Sequence, residues 1–167
     1  MNISIALTGF YGAGKYNVGR QIAIELGIPY SDMYEEMVKR SGMPVQQLYE
    51  QLGYVAYQQY ENLALSGLAV VGGVVATTGG CVLSAYNRRI LHEKFLTIFL
   101  DTPFEDMYEH IHVARYPNVG NMTRLELYKL YEYSRPVYEQ TADHIITASC
   151  SPEILCDRIL ELVLTDN

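Results

Sequence analysis

The sequence predicts an α/β fold: a parallel sheet covered by helices on both faces, in a single domain over residues 1–167. Three observations carry this. Apolar runs alternate with stretches of helical spacing along the whole chain. The runs are continuously apolar, as strands buried on both faces are. And 167 residues without a repeat, a low-complexity stretch or a linker suit one core.

The elements follow in order. The run at 3–7 (ISIAL) is a first strand, and 14–27 is a helix with Val18, Ile22, Ile24 and Leu26 as its apolar positions and Gly27 as C-cap. A short strand is expected at 28–31, then a helix over 32–42 ended by glycine. Residues 44–65 read as a helix with a break near Gly53, closed by Ser66-Gly67. The run 70–77 (VVGGVVAT) reads as a buried strand, and Gly79-Gly80 as a turn. A helix at 84–95 and a strand at 96–101 come next. TPFE (102–105) has the form of a helix start, with Thr102 as N-cap, Pro103 at the first position and Glu105 closing a capping box. A long helix is expected over 123–142, interrupted by Pro136, then a strand at 143–148. The terminal helix at 151–164 starts with Ser151 as cap and Pro152 at the first position.

Composition narrows the function classes. The net charge is −7 and Lys and Arg do not cluster, which argues against a nucleic-acid surface. The three cysteines, Cys81, Cys150 and Cys156, lack metal-ligand spacing and read as thiols in a reducing cytoplasm. Met1 runs directly into NISIAL with no basic flank, so no signal peptide is expected. Residues 63–83 carry no charge, but five glycines and several β-branched residues make them a helix end, a strand and a turn, and no membrane span is expected. Fifteen tyrosines and no tryptophan are a strong bias; half-buried core positions, a tyrosine-lined cleft or a protein interface would each use them. His92, His110, His112 and His144 share no ligand pattern and read as structural.

One stretch carries chemistry. Gly9-x-x-x-x-Gly14-Lys15 lies between an apolar strand and a helix, the setting of a phosphate-binding loop. Glycines let backbone N–H groups curl around phosphate oxygens, the helix N-terminus adds its dipole, and Lys15 would reach the terminal phosphates. Position 16 should hold Ser or Thr; it holds Tyr16.

The segments LTGFYGAGKYNVGRQIAIELGIPYSD, GYVAYQQYE, ATTGGCVL, ARYP and SRPVYEQTAD occur in an order and spacing that resemble the shikimate kinase family, over nearly all of the chain. The resemblance implies a three-layer α/β/α P-loop fold with five parallel strands and a lid, here about 109–124. It also implies transfer of the ATP γ-phosphate to a shikimate hydroxyl with magnesium. Gly12, Ala13, Gly14, Lys15, Tyr16 and Asn17, with the lid arginine Arg115, would bind nucleotide. Asp32, Tyr34, Gln58, Gly79, Gly80, Cys81 and Arg135 fall on substrate positions, with Arg135 matched to an arginine that holds the substrate carboxylate. Glu61 matches the family's glutamate in the segment Gln58–Glu61. Lys15, Asp32 and Arg115 are the expected catalytic set, and Asp32 an indirect, weak magnesium contact.

The departures fall on chemical positions. Tyr16 replaces the magnesium-ligating hydroxyl, Tyr34 a carboxylate that polarises the substrate hydroxyl, Gln58 an arginine of the carboxylate clamp, and Cys81 a glycine; the earlier lid arginine has no counterpart near Tyr108. Three readings stay open: a phosphotransferase with a changed acceptor, a nucleotide- or metabolite-binding pseudokinase, and a shikimate kinase with compensation. Each has a nucleotide and a small molecule as partners, and none fixes an oligomeric state.

Overall fold

The computed structural model describes residues 3–114 and 116–165, and of 112–114 the backbone only. Five parallel strands form one sheet: β1 (Ser4–Thr8), β2 (Tyr30–Asp32), β3 (Gly73–Ala76), β4 (Leu96–Asp101) and β5 (His144–Thr147). Their spatial order is β2-β3-β1-β4-β5. The helices are α1 (Lys15–Leu26), α2 (Met33–Ser41), α3 (Val45–Val71), α4 (Ala85–Lys94), α5 (Phe104–Ala114), α6 (Arg124–Thr141) and α7 (Pro152–Thr165), with a 3₁₀ turn at Cys81–Leu83.

β1 lies between β3 and β4, in register with Val74 and Leu96 at Ile5. Its side chains alternate between two cores, as strand geometry requires. Ile5 and Leu7 pack with Val18 and Ile22 of α1 and Leu155 and Ile159 of α7. Ala6 faces a second cluster with Leu65 and Leu68 of α3, Leu91 of α4 and Tyr138 of α6. A third, smaller core joins α2 to α3 through Met37, Leu48, Tyr57 and Ala64. The strand order reverses at β1, so a crevice opens beyond the carboxyl ends of β1 and β3, where ligands bind in such sheets. The loop 9–14 fills it.

Several expected boundaries move, each for a local reason. α3 runs on through Ser66 and Gly67 to Val71, so 70–77 is not all strand. Val70 and Val71 are exposed helix residues, and Gly72 and Gly73, both at positive φ, turn the chain into β3. Gly67 stays within the helix, and the Arg40 side chain passes where its Cβ would be. The break at Gly53 is present, at φ 80° and ψ 177°. Pro136 does not interrupt α6, which is continuous around it. The capping box forms at Thr123 and Glu126, at the start of α6. It does not form at Thr102, whose buried hydroxyl has no hydrogen-bond partner among the described residues, while Glu105 pairs with Arg124. On α1, Ile24 is exposed and Ala23 takes its place in the core. Among the described residues no helix is long and apolar enough to cross a membrane.

Candidate nucleotide and acceptor site

The loop after β1 turns on glycines. Gly9, Gly12 and Gly14 all have positive φ, at 156°, 79° and 83°. A Cβ on Gly12 would stand 3.0 Å from the Met107 carbonyl oxygen, so this position also needs glycine for space. Gly14 caps α1 without a side-chain acceptor, leaving the helix N-terminus open to an anion. Lys15 is buried, and its Nζ donates to the Gly9 and Phe10 carbonyls at 2.6 and 2.9 Å. Burial brings its pKa down to about 7, against a smaller upward pull from Asp32.

Tyr16 turns its ring off the loop. Its hydroxyl accepts from Arg20 at 3.2 Å, its ring meets Tyr30 edge-on at 5.9 Å, and it is 43% exposed. Across the cleft Asp32 caps α2, its Oδ1 accepting from the Glu35 N–H at 3.1 Å. Burial pushes the Asp32 carboxyl up.

One cleft of about 380 Å³ is lined by Gly12, Gly14, Lys15, Asp32 and Thr77, together with Tyr16, Tyr34 and Tyr116. A second cavity of about 370 Å³ shares Gly12, Gly14, Asn17 and His110 with it and continues past Ala13 to Ser149, Cys150 and Pro152. The two form one path from the loop 148–152 to the end of β3.

The neighbouring Gly79-Gly80 turn is packed with tyrosines. The Tyr34 hydroxyl accepts the Gly79 N–H at 3.3 Å, and the Tyr138 hydroxyl donates to the Gly79 carbonyl. The Tyr11 ring lies where a Gly79 Cβ would be, 2.5 Å from that position, and its hydroxyl accepts from Asn118. Tyr116 packs against both Tyr11 and Tyr34, at 5.3 and 5.8 Å between centroids. Behind them Glu61 is 3% exposed and accepts from the Thr78 hydroxyl. Burial pushes it up to about 7. The Tyr57 hydroxyl is buried beside them.

The shikimate kinase family model matches residues 11–164. The chain belongs to the shikimate kinase family. It is 33% identical to a shikimate kinase of Streptococcus gordonii over 162 residues, covering 94% of this chain and 98% of that protein. It is 30% identical to shikimate kinase 2 of Pectobacterium atrosepticum over 166 residues, covering 96% of each. Among solved structures it superposes on the shikimate kinase of Acinetobacter baumannii in complex with shikimate with a TM-score of 0.93, 27% identity and coverage of 99% and 95%. With the Aquifex aeolicus enzyme the TM-score is 0.80 at 28% identity, covering 97% and 96%.

Against the family pattern, the structure brings some expected residues together and leaves others apart. Gly12, Gly14, Lys15, Tyr16, Asn17, Asp32 and Tyr34 share the cleft. Gln58, Gly79, Gly80 and Cys81 do not line it: Gln58 donates to the Tyr54 hydroxyl at 3.4 Å, and Cys81 is fully buried. Arg135 is not at the cleft. Its guanidinium binds the Asp101 carboxylate at 2.7 and 3.2 Å and lies 3.4 Å from Glu139. The reason is helical phase. On α6 the buried positions are Leu127, Ser134 and Tyr138, and Tyr138 is the one that touches Gly79. Arg135 follows Ser134 by a turn of about 100°, onto the exposed flank. Arg115 lies outside the described residues. The expected lid, 109–124, falls on the end of α5 and a turn segment in which the Gly120 N–H donates to the Tyr116 carbonyl at 2.6 Å.

Tyr11, Thr77 and Tyr116 are residues at or beside the site that the sequence reading did not assign to it, and His110, read there as structural, also lines the cleft. Thr77 was accessible through the switch-point rule, since it follows the strand beside β1. His110 had no local signal, because α5 reaches the loop only through the tertiary fold.

Proposed function

We propose that this chain is an ATP-binding phosphotransferase of the shikimate kinase type, with its nucleotide half kept and its acceptor half rebuilt. The observation that carries this is one cleft holding the glycine loop, Lys15, Asp32 and Thr77 together. In this reading Gly12, Ala13 and Gly14 offer backbone N–H groups to the β-phosphate, and Lys15 leaves the Gly9 and Phe10 carbonyls to contact the terminal phosphate. The base and ribose lie along the second cavity, between His110 and Pro152. Asp32 stands beside the transferring phosphate and receives the acceptor hydroxyl. Phosphoryl transfer is mostly positioning and charge stabilisation, and these residues supply both.

Magnesium fits this cleft through few protein groups. Asp32 is the carboxylate lining it, and Tyr16 turns its hydroxyl away toward Arg20. Mg²⁺ commonly keeps several waters and uses one or two carboxylates with the phosphates, so Asp32 through water would hold it. When bound, the ion neutralises phosphate charge. The three free thiols support a reducing, cytoplasmic setting.

The relatives' names point to shikimate as acceptor, and the Acinetobacter baumannii structure contains it. The side chains here argue for a poor fit. Tyr34 occupies the Gly79 N–H, Gln58 is neutral, and Arg135 is held by Asp101. A second reading, nucleotide binding without transfer, has no support from the family match or the relatives and is left to the same experiment. An ADP-release assay with ATP, Mg²⁺ and shikimate tests the first reading, beside ATP binding by calorimetry. We expect ATP to bind and shikimate turnover to fall at least about 10³-fold below the roughly 1–100 per second of kinases. Absence of ATP binding overturns the proposal. Ordinary shikimate turnover overturns the rebuilt acceptor half. ATP binding with no turnover on any hydroxyl acceptor leaves the second reading.

A further inference from the structure

The phosphate loop and the Gly79-Gly80 turn leave neighbouring strands side by side. β1 and β3 pair with Leu7 opposite Ala76, and both turns start within a few residues of that pair. Phe10 and Tyr11, between the positive-φ glycines Gly9 and Gly12, are buried. Tyr11 reaches across to the next turn: a Cβ on Gly79 would stand 2.5 Å from its ring, and one on Gly80 3.0 Å from its hydroxyl oxygen. Resting on the phosphotransferase reading above, we propose that Tyr11 is a positioning residue that couples the two ligands. Nucleotide on the loop draws its ring off the turn, and the acceptor then binds more tightly.

The contacts of Tyr11 show what holds the ring in place. At its backbone end, Lys15 binds the Gly9 and Phe10 carbonyls at 2.6 and 2.9 Å, and these belong to the two peptides that lead into Tyr11. At its far end, Asn118 donates to the hydroxyl and the Tyr116 ring packs against it, 5.3 Å between centroids. The ring leaves no room for a methyl group over Gly79. The Gly79 N–H and carbonyl are already bonded to Tyr34 and Tyr138. An acceptor reaches the backbone of this turn only after a side chain there has moved.

The nucleotide itself supplies that movement. A phosphate draws Lys15 off the two carbonyls, because a bond between opposite charges outweighs one to a neutral oxygen. The peptides ahead of Tyr11 then lose their anchor. A close-packed ring does not adjust continuously; it shifts between discrete packings. With the loop empty, the acceptor must displace the ring unaided, and that cost lowers its apparent affinity. With nucleotide bound, the cost has already been met. Linkage makes the effect reciprocal, so the acceptor raises nucleotide affinity by the same factor.

A second route joins the two sites through Asp32 and Tyr34, two residues apart at the start of α2. That route is stiffer. Asp32 caps the helix through the Glu35 N–H, and α2 is fixed to α3 by the core around Met37 and Tyr57. Tyr11 instead stands on a loop whose anchoring bonds are the ones that the nucleotide replaces.

The test titrates shikimate into the full chain, empty and ADP-loaded, by calorimetry and ligand-observed NMR. The amide signals of Gly79 and Gly80 are followed as ADP is added. We expect ADP to tighten shikimate binding at least about fivefold in the wild type, the lower end of ordinary coupling between sites, and to shift both amides. Tyr11→Leu removes the ring. It should bind shikimate equally with and without ADP, as tightly as the loaded wild type does, and its Gly79 and Gly80 amides should no longer respond to ADP. Tyr11→Phe keeps the ring and should keep the coupling. A residue needed only for folding would leave the ADP dependence intact in any variant that still binds ADP. If Tyr11→Leu does not fold, Tyr11→Met, which also lacks the ring and fills more of its space, takes its place. Coupling that survives loss of the ring overturns the inference. So does equal shikimate affinity of the empty and loaded wild type, or no shikimate bound by wild type and variant in either state. Failure to bind ADP or ATP removes the inference together with the reading it rests on.

Discussion

Each half of the site buries an ionisable group that burial brings near pH 7, the two from opposite directions. Lys15 comes down to about 7 and Glu61 goes up to about 7. Lys15 waits on two backbone carbonyls at the base of a loop built to hold an anion, with Asp32 across an open cleft. Glu61 has one hydroxyl donor, from Thr78, and among the described residues it forms no ion pair. Around it are phenols packed against Gly79. The nucleotide half is poised for a ligand; the acceptor half is stocked with side chains of its own. Selection for phosphate binding and for the family's acceptor need not travel together, even when the two sites share a wall.

The largest expected effect tests the poised half. Lys15→Met removes charge-assisted bonds to phosphate worth about 1.5–3 kcal/mol each. Two such bonds imply more than a hundredfold loss of ATP affinity by calorimetry. The same residue predicts a proton uptake. With its pKa near 7 in the empty cleft, Lys15 is mostly neutral at pH 8 and is recharged when phosphate arrives. Titrations in two buffers of different ionisation enthalpy should show ATP binding taking up close to one more proton in the wild type than in Lys15→Met at pH 8, and little difference at pH 6. Equal affinities in the two proteins would place the phosphate elsewhere.

The stocked half is tested through Glu61. Its folded pKa, about 7, lies above an ordinary 4.5. Between those values the folded chain holds a proton that the unfolded chain has released, so stability falls as pH rises through that window. A single group contributes about 1.4 kcal/mol per pH unit there, giving a loss on the order of 3 kcal/mol once pH exceeds 7. Glu61→Gln keeps the shape and the acceptor for Thr78 without the charge. Denaturant unfolding should show the variant more stable by about 2–3 kcal/mol at pH 8 and indistinguishable at pH 4. An equally steep pH profile in the variant would mean that Glu61 already has its countercharge.

The packing against Gly79 gives a smaller effect. Gly79→Ala puts a methyl into the Tyr11 ring, and overpacking of this kind costs about 1–3 kcal/mol. Tyr11→Leu beside it should recover most of that, because the ring is the obstacle. A cycle in which the two changes simply add would show that Gly79 is constrained by its backbone instead.

The nucleotide half was also the more legible one. Gly9, Gly12, Gly14 and Lys15 are local: a strand, a turn and a helix start fix their geometry within a few residues. The order of apolar runs likewise foretold the parallel sheet, although the run 70–77 hid a helix end, because buried helix and buried strand share a composition. The acceptor half is assembled from α2, α3, the turn after β3, the segment after α5 and α6. There the helical phase of single residues decides the outcome. Arg135 lies one residue from Ser134 in sequence, yet only Ser134 is buried, and the arginine pairs with Asp101. No short-range pattern reveals that, and none shows that Tyr11 would lie on Gly79.

The smallest expected effect concerns magnesium, and it separates a kept nucleotide half from a merely similar one. A Ser or Thr at position 16 would set a hydroxyl at the start of α1, close to the phosphates. Tyr16 has its hydroxyl oxygen at the far end of the ring, well out from the backbone, and Arg20 holds it at 3.2 Å, away from the loop. The cleft then offers the ion Asp32 and water, and Asp32 is already engaged with the Glu35 N–H. Most of the ion's ligands would come from the phosphates themselves, in the cleft or in free solution, so its binding adds little that the protein can see. Calorimetry of ATP with Mg²⁺ and with EDTA should give affinities within about tenfold, or roughly 1.4 kcal/mol. Tyr16→Ser restores the short hydroxyl and should widen the ratio, while leaving the EDTA affinity as it was. If the wild type already gains more than tenfold from the ion, a ligand other than residue 16 serves it, and the nucleotide half has been rebuilt as well.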